Sequence, residues 1–232
     1  MRLLPLITLL LLGPPALAEA VTVAVAANFR PAAEHLVAEF EAGSNHRVTL
    51  VTASTGVLFS QITHGAPFDV FLSADREAPM RLAEQGAGAG APFCYARGEL
   101  TLLGGSIDAL SDPANTLAIA NPVTAPYGRA AIEVVERSDF SSGSARKTVR
   151  ANNALQAYQL WRQDTVDLAL VPRSLHLEAP ALPAAWYTPI DQYALQLARS
   201  SGNAAATDFV AFLTRPATRK AITELGYGSC HG

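Results

Sequence analysis

Four short stretches of this chain place hydrogen-bond donors and small residues where a predicted strand gives way to a helix. They are Ala26-Ala27-Asn28-Phe29, Ala53-Ser54-Thr55-Gly56, Asn121 to Gly128, and Ala151-Asn152-Asn153-Ala154. The first amides of a helix have no acceptor within the helix and point outward, and the helix dipole adds partial positive charge there. Small neighbours let a ligand approach the backbone. Each stretch is therefore suited to bind an anion.

Charged side chains are missing from all four stretches. A fully ionised dianion needs only donors, whereas a protonated phosphate also needs an acceptor for its proton. Donors without a neighbouring acid or base thus indicate capture of a dianion. Taken singly, each stretch has an ordinary structural interpretation, because Asn, Ser and Thr are favoured helix caps. The functional prediction rests on the four occurring together.

Other residues that could perform chemistry form no convincing site. Asp69 and Asp75 could be a carboxylate pair, but the apolar run between them is typical of a core strand and Asp75 suits a helix cap. The five histidines show no metal-ligand spacing, and two cysteines are too few for a thiolate zinc site. The sequence contains no Gly-x-Ser-x-Gly elbow and no Walker-type loop. We expect no enzyme activity, no cofactor and no free metal-ion site.

Short β-branched runs alternate with helical stretches along the chain, which is typical of parallel sheets with crossover helices. The predicted strands are Val21–Ala26, Arg47–Thr52, Val70–Ser73, Phe93–Leu103, Thr116–Ala120, Leu168–Val171 and Tyr193–Ala198. The predicted helices are Pro31–Ala42, Gly56–His64, Arg76–Gln85, Gly128–Arg137, Asn153–Arg162, Ala205–Leu213 and 216–225. Ligands of open α/β sheets lie beyond the carboxyl ends of the strands. Two such units facing each other would aim two helix starts each at one point.

The pattern predicts an α/β fold of two lobes joined by two crossing hinge strands, near Phe93–Ala96 and Ile190–Ala194. Lobe I would comprise residues 19–94 with 194–232, and lobe II residues 95–193. A ligand held between the lobes would be bound by their closure.

The first 18 residues have the pattern of a cleavable secretory signal peptide. Arg2 precedes the apolar run Leu3–Leu12, and Ala16-Leu17-Ala18 supplies small residues for cleavage after Ala18. The apolar run is too short to span a bilayer, although a retained membrane anchor is the alternative. We therefore expect export to the periplasm.

Cleavage would remove Arg2 and change the formal net charge from −3 to −4. Such acidity argues against a nucleic-acid partner, and it requires that an anion be bound by local dipoles. Cys94 and Cys230 could form a disulfide in an oxidising compartment. Whether they lie close enough depends on geometry, and the sequence leaves this open.

Several strings of this sequence resemble the successive motifs of the periplasmic molybdate-binding proteins of ABC transporters. They are Val23 to Phe29, Ser54-Thr55-Gly56, Gly65 to Asp75, Asn121 to Gly128, Ala151-Asn152 and Tyr187 to Ile190. The resemblance covers essentially the whole mature chain. It implies a two-lobed periplasmic binding protein fold that binds molybdate or tungstate without a cofactor and delivers it to an ABC permease. A monomer suits such delivery.

The resemblance also implies which residues bind the oxyanion. Asn28 would donate from its side chain and backbone, with Ala27 adjacent, and Thr55 would offer its hydroxyl and amide. Tyr127 and Ala154 would each offer a backbone N–H. Ser54 adds a second hydroxyl.

Two positions depart from the common family pattern. Asn28 stands where many members have serine, and Pro172 stands where many carry a tyrosine that reaches the ligand. This combination resembles a subset of the family in which the asparagine side chain replaces the tyrosine. The alternatives are a binding protein for sulfate, phosphate or a small organic solute, and an α/β hydrolase or phosphoryl transferase.

Overall fold

The computed structural model describes residues 19–230, so the predicted signal peptide lies outside the described residues. The strands are β1 (Ala20–Ala26), β2 (Arg47–Ala53), β3 (Val70–Leu72), β4 (Phe93–Gly98), β5 (Leu100–Leu103), β6 (Leu117–Ala120), β7 (Thr148–Ala151), β8 (Leu168–Pro172) and β9 (Ile190–Gln196). The helices are α1 (Arg30–Ala42), α2 (Thr55–Thr63), α3 (Glu77–Glu84), α4 (Pro126–Val135), α5 (Ala154–Arg162), α6 (Ala204–Thr214) and α7 (Pro216–Glu224). Within residues 19–230, no helix is both long and apolar enough to cross a membrane.

The first lobe is built on a five-stranded sheet in the order β2-β1-β3-β9-β4. β1 pairs in parallel with β2 and β3, whereas β9 runs antiparallel to its neighbours β3 and β4. β1 and β2 end in step, with Ala26 opposite Ala53. The chain segments that follow these two strands therefore leave the sheet side by side.

The second lobe repeats this arrangement on a four-stranded sheet in the order β5-β8-β6-β7. β6 pairs in parallel with β7 and β8, and β5 runs antiparallel to β8. Ala120 lies opposite Ala151, so β6 and β7 also end in step. The protein thus has the α/β, two-lobed fold that the sequence predicted.

Helices cover both faces of each sheet, which explains why the strands β1, β3, β6 and β8 are almost continuously apolar. In the first lobe, α1 and α6 pack on one face around Phe29, Leu36 and Phe209, and α2 and α3 cover the other. In the second lobe, α4 and α5 contact opposite faces of the sheet. The two cores are separate except where Ala26, Ala74 and Ile190 of β9 join the α4 cluster.

Two connections join the lobes. The predicted strand Phe93–Leu103 is in fact two strands, because the chain leaves the first sheet after Gly98 and enters the second at Leu100. The return connection runs between the end of β8 and the start of β9. The lobe boundaries predicted at 94/95 and 193/194 fall inside β4 and β9, both strands of the first sheet; the domain division itself stays a prediction.

The structure joins Cys94 and Cys230 in a disulfide, with their Cα atoms 6.0 Å apart. Cys94 lies in β4, and Arg97 of the same strand exchanges backbone hydrogen bonds with Gly228. The C-terminal tail is therefore held against the edge of the first sheet, at the strand that leads into the second lobe.

Candidate anion-binding site

A small cavity lies between the two lobes, at the carboxyl ends of β1, β2, β6 and β7. Its volume is about 10 Å³. Its lining residues are Ala26, Ala27, Asn28, Ser54, Thr55, Ala74, Ala125, Pro126, Tyr127, Asn153 and Ala154. None of these eleven side chains carries a formal charge at neutral pH.

All six residues that the sequence singled out line this one cavity: Ala27, Asn28, Ser54, Thr55, Tyr127 and Ala154. That they bind an anion stays a prediction. Of the fourth stretch, Asn153 lines the cavity, while its neighbour Asn152 is solvent-exposed. Pro172 ends β8 and is not a lining residue.

The helices that begin at the cavity leave their positive ends available. α1, α2 and α4 start without a hydrogen bond from a capping side chain. None of these helices, nor α5, has an acidic residue in its first turn. Thr55 and Ala154 are first residues and Tyr127 is the second residue of their helices, so their amides have no acceptor within the helix. The four helix ends therefore favour negative charge in the cavity.

An equivalent backbone hydrogen bond joins the two helix starts of each lobe. The amide of Ala27 donates to the carbonyl of Ala53 (3.0 Å), and the amide of Asn121 donates to the carbonyl of Ala151 (2.8 Å). Because its amide is used in this way, Ala27 contributes small size and not a donor. α5 differs from the other three helices, since Asn153 Oδ1 accepts from the amide of Gln156 and caps it.

Two hydroxyls at the start of α2 are available as donors. Ser54 is buried, and its Oγ has no hydrogen-bond partner among the described residues. Buried polar groups are normally paired, so an orphaned hydroxyl beside a cavity is informative. Thr55 Oγ1 accepts a hydrogen bond of 3.0 Å from the amide of Ala74. The hydroxyl of Thr55 is thereby held in place with its own hydrogen free to donate.

Asn28 is buried and does not cap α1, because the N-cap residue of that helix is Phe29. Its side-chain Nδ2 donates to Oε1 of Gln192 at 2.9 Å, and its backbone carbonyl accepts from the hydroxyl of Tyr227 at 2.8 Å. A carboxamide nitrogen carries two hydrogens, so one remains for a ligand.

The side chain of Tyr127 does more than the sequence indicated. It is buried between the lobes, and its hydroxyl accepts a hydrogen bond of 3.3 Å from Nε2 of Gln192. Position 98 must be glycine to make room, because a Cβ on Gly98 would lie 2.0 Å from this hydroxyl. Position 128 is glycine for a similar reason, since a Cβ on Gly128 would lie 2.4 Å from the carbonyl oxygen of Ala120. Both glycines let α4 approach the strands closely enough for its start to reach the cavity.

The buried phenols stay protonated well beyond neutral pH. Burial is the main cause that raises the pKa of Tyr95, Tyr127 and Tyr227, although the hydrogen bonds of Tyr227 to Ser174 and Asn28 oppose it. Their hydroxyls are thus permanent donors and acceptors around the cavity.

Contacts across the cleft hold the two lobes against each other. The amide of Gly56 donates to the carbonyl of Thr124 (2.8 Å), and the guanidinium of Arg129 contacts the carboxylate of Asp75 (2.9 Å). Ser174, after β8, donates to the hydroxyl of Tyr227. Direct bonds between the lobes therefore flank the cavity.

The Asp69 to Asp75 string has the structural role that the sequence favoured. Asp69 accepts from the amide of Thr22 and pairs with Arg199, and Asp75 Oδ1 accepts from the amide of Ala78 in the first turn of α3. Within residues 19–230, no three His, Cys, Asp or Glu side chains lie close enough together to hold a metal ion.

Sequence reasoning missed the residues that support the site from behind. They are the buried residues Gln192, Tyr95 and Tyr227. Gln192 is bonded to Asn28 and Tyr127, Tyr95 is bonded to Gln192, and Tyr227 is bonded to the carbonyl of Asn28. No local signal marks them, because each lies in a strand or tail far along the chain from the residues that it contacts.

Comparisons with known proteins agree with this geometry. A family model described as bacterial extracellular solute-binding protein matches residues 21–228. The molybdate-binding protein ModA of Azotobacter vinelandii is 34% identical over 235 residues, covering 94% of this chain and 93% of that protein. The protein of the same name from Rhodobacter capsulatus is 35% identical over 229 residues, with coverages of 93% and 91%.

The solved structure of the Azotobacter vinelandii periplasmic molybdate-binding protein is also similar. It superposes with a TM-score of 0.84 at 29% identity and covers 91% of this chain and 100% of that one. The two lobes, the cleft between them and the matched length together lead to one conclusion. This chain belongs to the family of bacterial extracellular solute-binding proteins.

Proposed function

We propose that this protein captures molybdate in the periplasm and delivers it to an ABC permease. The observation that carries the proposal is the cavity itself, where four helix starts and two hydroxyls converge without any charged side chain. Donors alone suit a fully ionised dianion. Two relatives that cover more than nine-tenths of the chain are named for molybdate binding, which supports this choice among dianions.

The small volume of the cavity, about 10 Å³, supports a small ion over an organic solute. An organic acid would also require a partner such as arginine, and no lining residue supplies one. Each hydrogen bond to a charged ligand contributes about 1.5–3 kcal/mol. Several such bonds correspond to a Kd of about 1 μM or tighter.

The finer parts of the proposal follow from this mode of binding. Ala27, Asn28, Ser54, Thr55, Tyr127 and Ala154 surround the anion, and the protein needs no cofactor and catalyses no reaction. Tungstate, a tetrahedral dianion of the same kind, binds at the same residues. The protein acts as a monomer. It works in the periplasm after removal of the signal peptide, which is consistent with the periplasmic location of its relative.

Isothermal titration calorimetry with molybdate, tungstate, sulfate, phosphate and a small organic acid tests the proposal. We expect tight binding of molybdate and tungstate and weak binding of the other three. Asn28→Ala should weaken binding, and Asn152→Ala is a matched control because Asn152 is exposed and outside the cavity. Tight binding of phosphate or the organic acid without a response to molybdate would contradict the proposal.

A further inference from the structure

Gln192 is a fully buried polar side chain in β9. Its carboxamide contacts three other side chains. Oε1 accepts from Asn28 Nδ2 at 2.9 Å and from the hydroxyl of Tyr95 at 3.0 Å, and Nε2 donates to the hydroxyl of Tyr127 at 3.3 Å. A buried carboxamide is costly to leave unpaired, so this set of bonds fixes its orientation.

The partners of Gln192 belong to both sides of the cleft. Asn28 follows β1 of the first lobe, whereas Tyr127 lies in the first turn of α4 in the second lobe. Both residues also line the cavity, but Gln192 does not. One side chain therefore connects the two halves of the site without lining it.

The bond to Gln192 limits how the Asn28 carboxamide can be oriented. The carbonyl oxygen of Gln192 has two lone pairs. One accepts from Asn28, and the other faces the Tyr95 hydroxyl, whose single hydrogen it shares with the carbonyl oxygen of Ser73 at 3.1 Å. One hydrogen of Asn28 Nδ2 is thus committed to Gln192, and the rotation of the Asn28 carboxamide is restricted. The second hydrogen remains for a ligand in a direction that Gln192 determines.

We propose that Gln192 is a positioning residue that orients the Asn28 donor and, through the Tyr127 hydroxyl, the start of α4 around the bound anion. The inference rests on the proposed function. A site that holds its donors in advance binds more tightly, because less side-chain freedom is lost on binding. Gly98 is part of the device, since a Cβ there would lie 3.0 Å from Gln192 Nε2 and 2.0 Å from the Tyr127 hydroxyl.

A double-mutant cycle with molybdate titrations tests this role. Gln192→Met keeps the length of the side chain and removes its hydrogen bonds, and we expect Kd to rise about tenfold or more, the effect of losing at least 1.4 kcal/mol. In the Gln192→Met background, Asn28→Ala should raise Kd by a smaller factor than in the wild type, because the donor is already misdirected. Equal factors in the two backgrounds would overturn the inference.

Two further variants test whether weaker binding results from misfolding or from any change in β9. Gln192→Asn retains a carboxamide in the core but is one methylene shorter, so it should fold and still bind more weakly than the wild type. Gln196→Met alters the same strand at a side chain bonded to Ser200 and Thr207, outside the site, and should leave Kd unchanged. If Gln192→Met and Gln192→Asn both bind molybdate like the wild type, Gln192 has no positioning role.

The wild-type titration distinguishes a failure of the proposed function from a failure of the positioning role of Gln192. A wild type that does not bind molybdate contradicts the proposed function, and the inference falls with it. A wild type that binds molybdate, together with additive effects of Gln192→Met and Asn28→Ala, contradicts only the inference.

Discussion

The carboxylate of Asp75 and the guanidinium of Arg129 lie 2.9 Å apart on opposite sides of the cleft. Asp75 follows β3 in the first lobe, and Arg129 lies in α4, two residues after Tyr127. The neighbouring residue Ala74 donates its amide to Thr55 Oγ1. The ion pair therefore joins the two lobes immediately beside residues that line the cavity, and it can form only when the lobes are close together.

Arg129→Gln should weaken molybdate binding by destabilising the closed arrangement. The Arg129 side chain is 45% exposed, and exposed ion pairs contribute about 0–1 kcal/mol, so we expect Kd to rise by less than about tenfold. Stopped-flow measurements should show faster dissociation, with a smaller difference from wild type at high salt. Lys220→Gln is the control, because Lys220 pairs with Glu224 within α7 and does not line the cavity. A slower dissociation rate would contradict this role.

Ser54→Ala should lower affinity without lowering stability. The hydroxyl is buried without a protein partner, so its removal costs the folded protein no hydrogen bond. A lost bond to a charged ligand corresponds to a rise in Kd of about tenfold or more. Calorimetry and thermal unfolding measure the two effects. Ser60→Ala changes an exposed serine in the same helix and should alter neither. Unchanged affinity in Ser54→Ala would exclude its hydroxyl from the site.

Thr55→Val should lower both affinity and stability. The substitution removes a donor for the anion and leaves the buried amide of Ala74 without its acceptor, which costs about 1–3 kcal/mol. Thr55→Ser retains the oxygen and should recover most of both losses. Urea unfolding and molybdate titration check the pair of variants. A Thr55→Val protein with wild-type stability would show that the bond from Ala74 is unimportant.

Reduction of the Cys94–Cys230 disulfide should destabilise the protein. The bond links residues 136 positions apart, and disulfides of this kind contribute about 2–4 kcal/mol. It also holds the tail that carries Tyr227, whose hydroxyl bonds to the carbonyl of Asn28, so affinity should fall as well. Thermal unfolding with and without reductant measures the effect. The Cys94→Ala, Cys230→Ala double variant should already unfold at the lower temperature and should not respond to reductant.

The buried phenols should make the protein less stable at alkaline pH. Burial raises the pKa of Tyr95, Tyr127 and Tyr227 in the folded state, while in the unfolded chain they ionise near a pKa of about 10. The stabilisation is complete below that pH and is lost as pH rises above it, because only the unfolded state releases the protons. Urea unfolding between about pH 8 and 11 should show this decline. Tyr227→Phe should decline less steeply, and an identical slope would contradict the assignment.

Local signals in the sequence were sufficient for most of the fold. Alternation of β-branched runs with helical stretches placed all seven α-helices within a few residues of their observed bounds. Small and hydroxyl or amide residues at helix starts marked four stretches. Within them, the resemblance to the molybdate-binding family selected Ala27, Asn28, Ser54, Thr55, Tyr127 and Ala154, which share one cavity. These features were predictable because capping and periodicity act between residues that are near each other in the chain.

Strand β7 shows where local signals fail. It has four residues, includes Arg150 and lies at the edge of its sheet, so it is a strand only because β6 pairs with it. Its sequence alone contains too little alternation to predict it.

Tertiary structure alone decided which distant groups meet. Asn28 and Gln192 are 164 residues apart, Asp75 and Arg129 are 54 apart, and Cys94 and Cys230 are 136 apart. No pattern within a strand or helix specifies such pairs, because they depend on how the two sheets are placed relative to each other. The sequence by itself determined what kind of groups begin each helix; the packing of the lobes determined that four of these helix starts face one another and that Gln192 lies behind them.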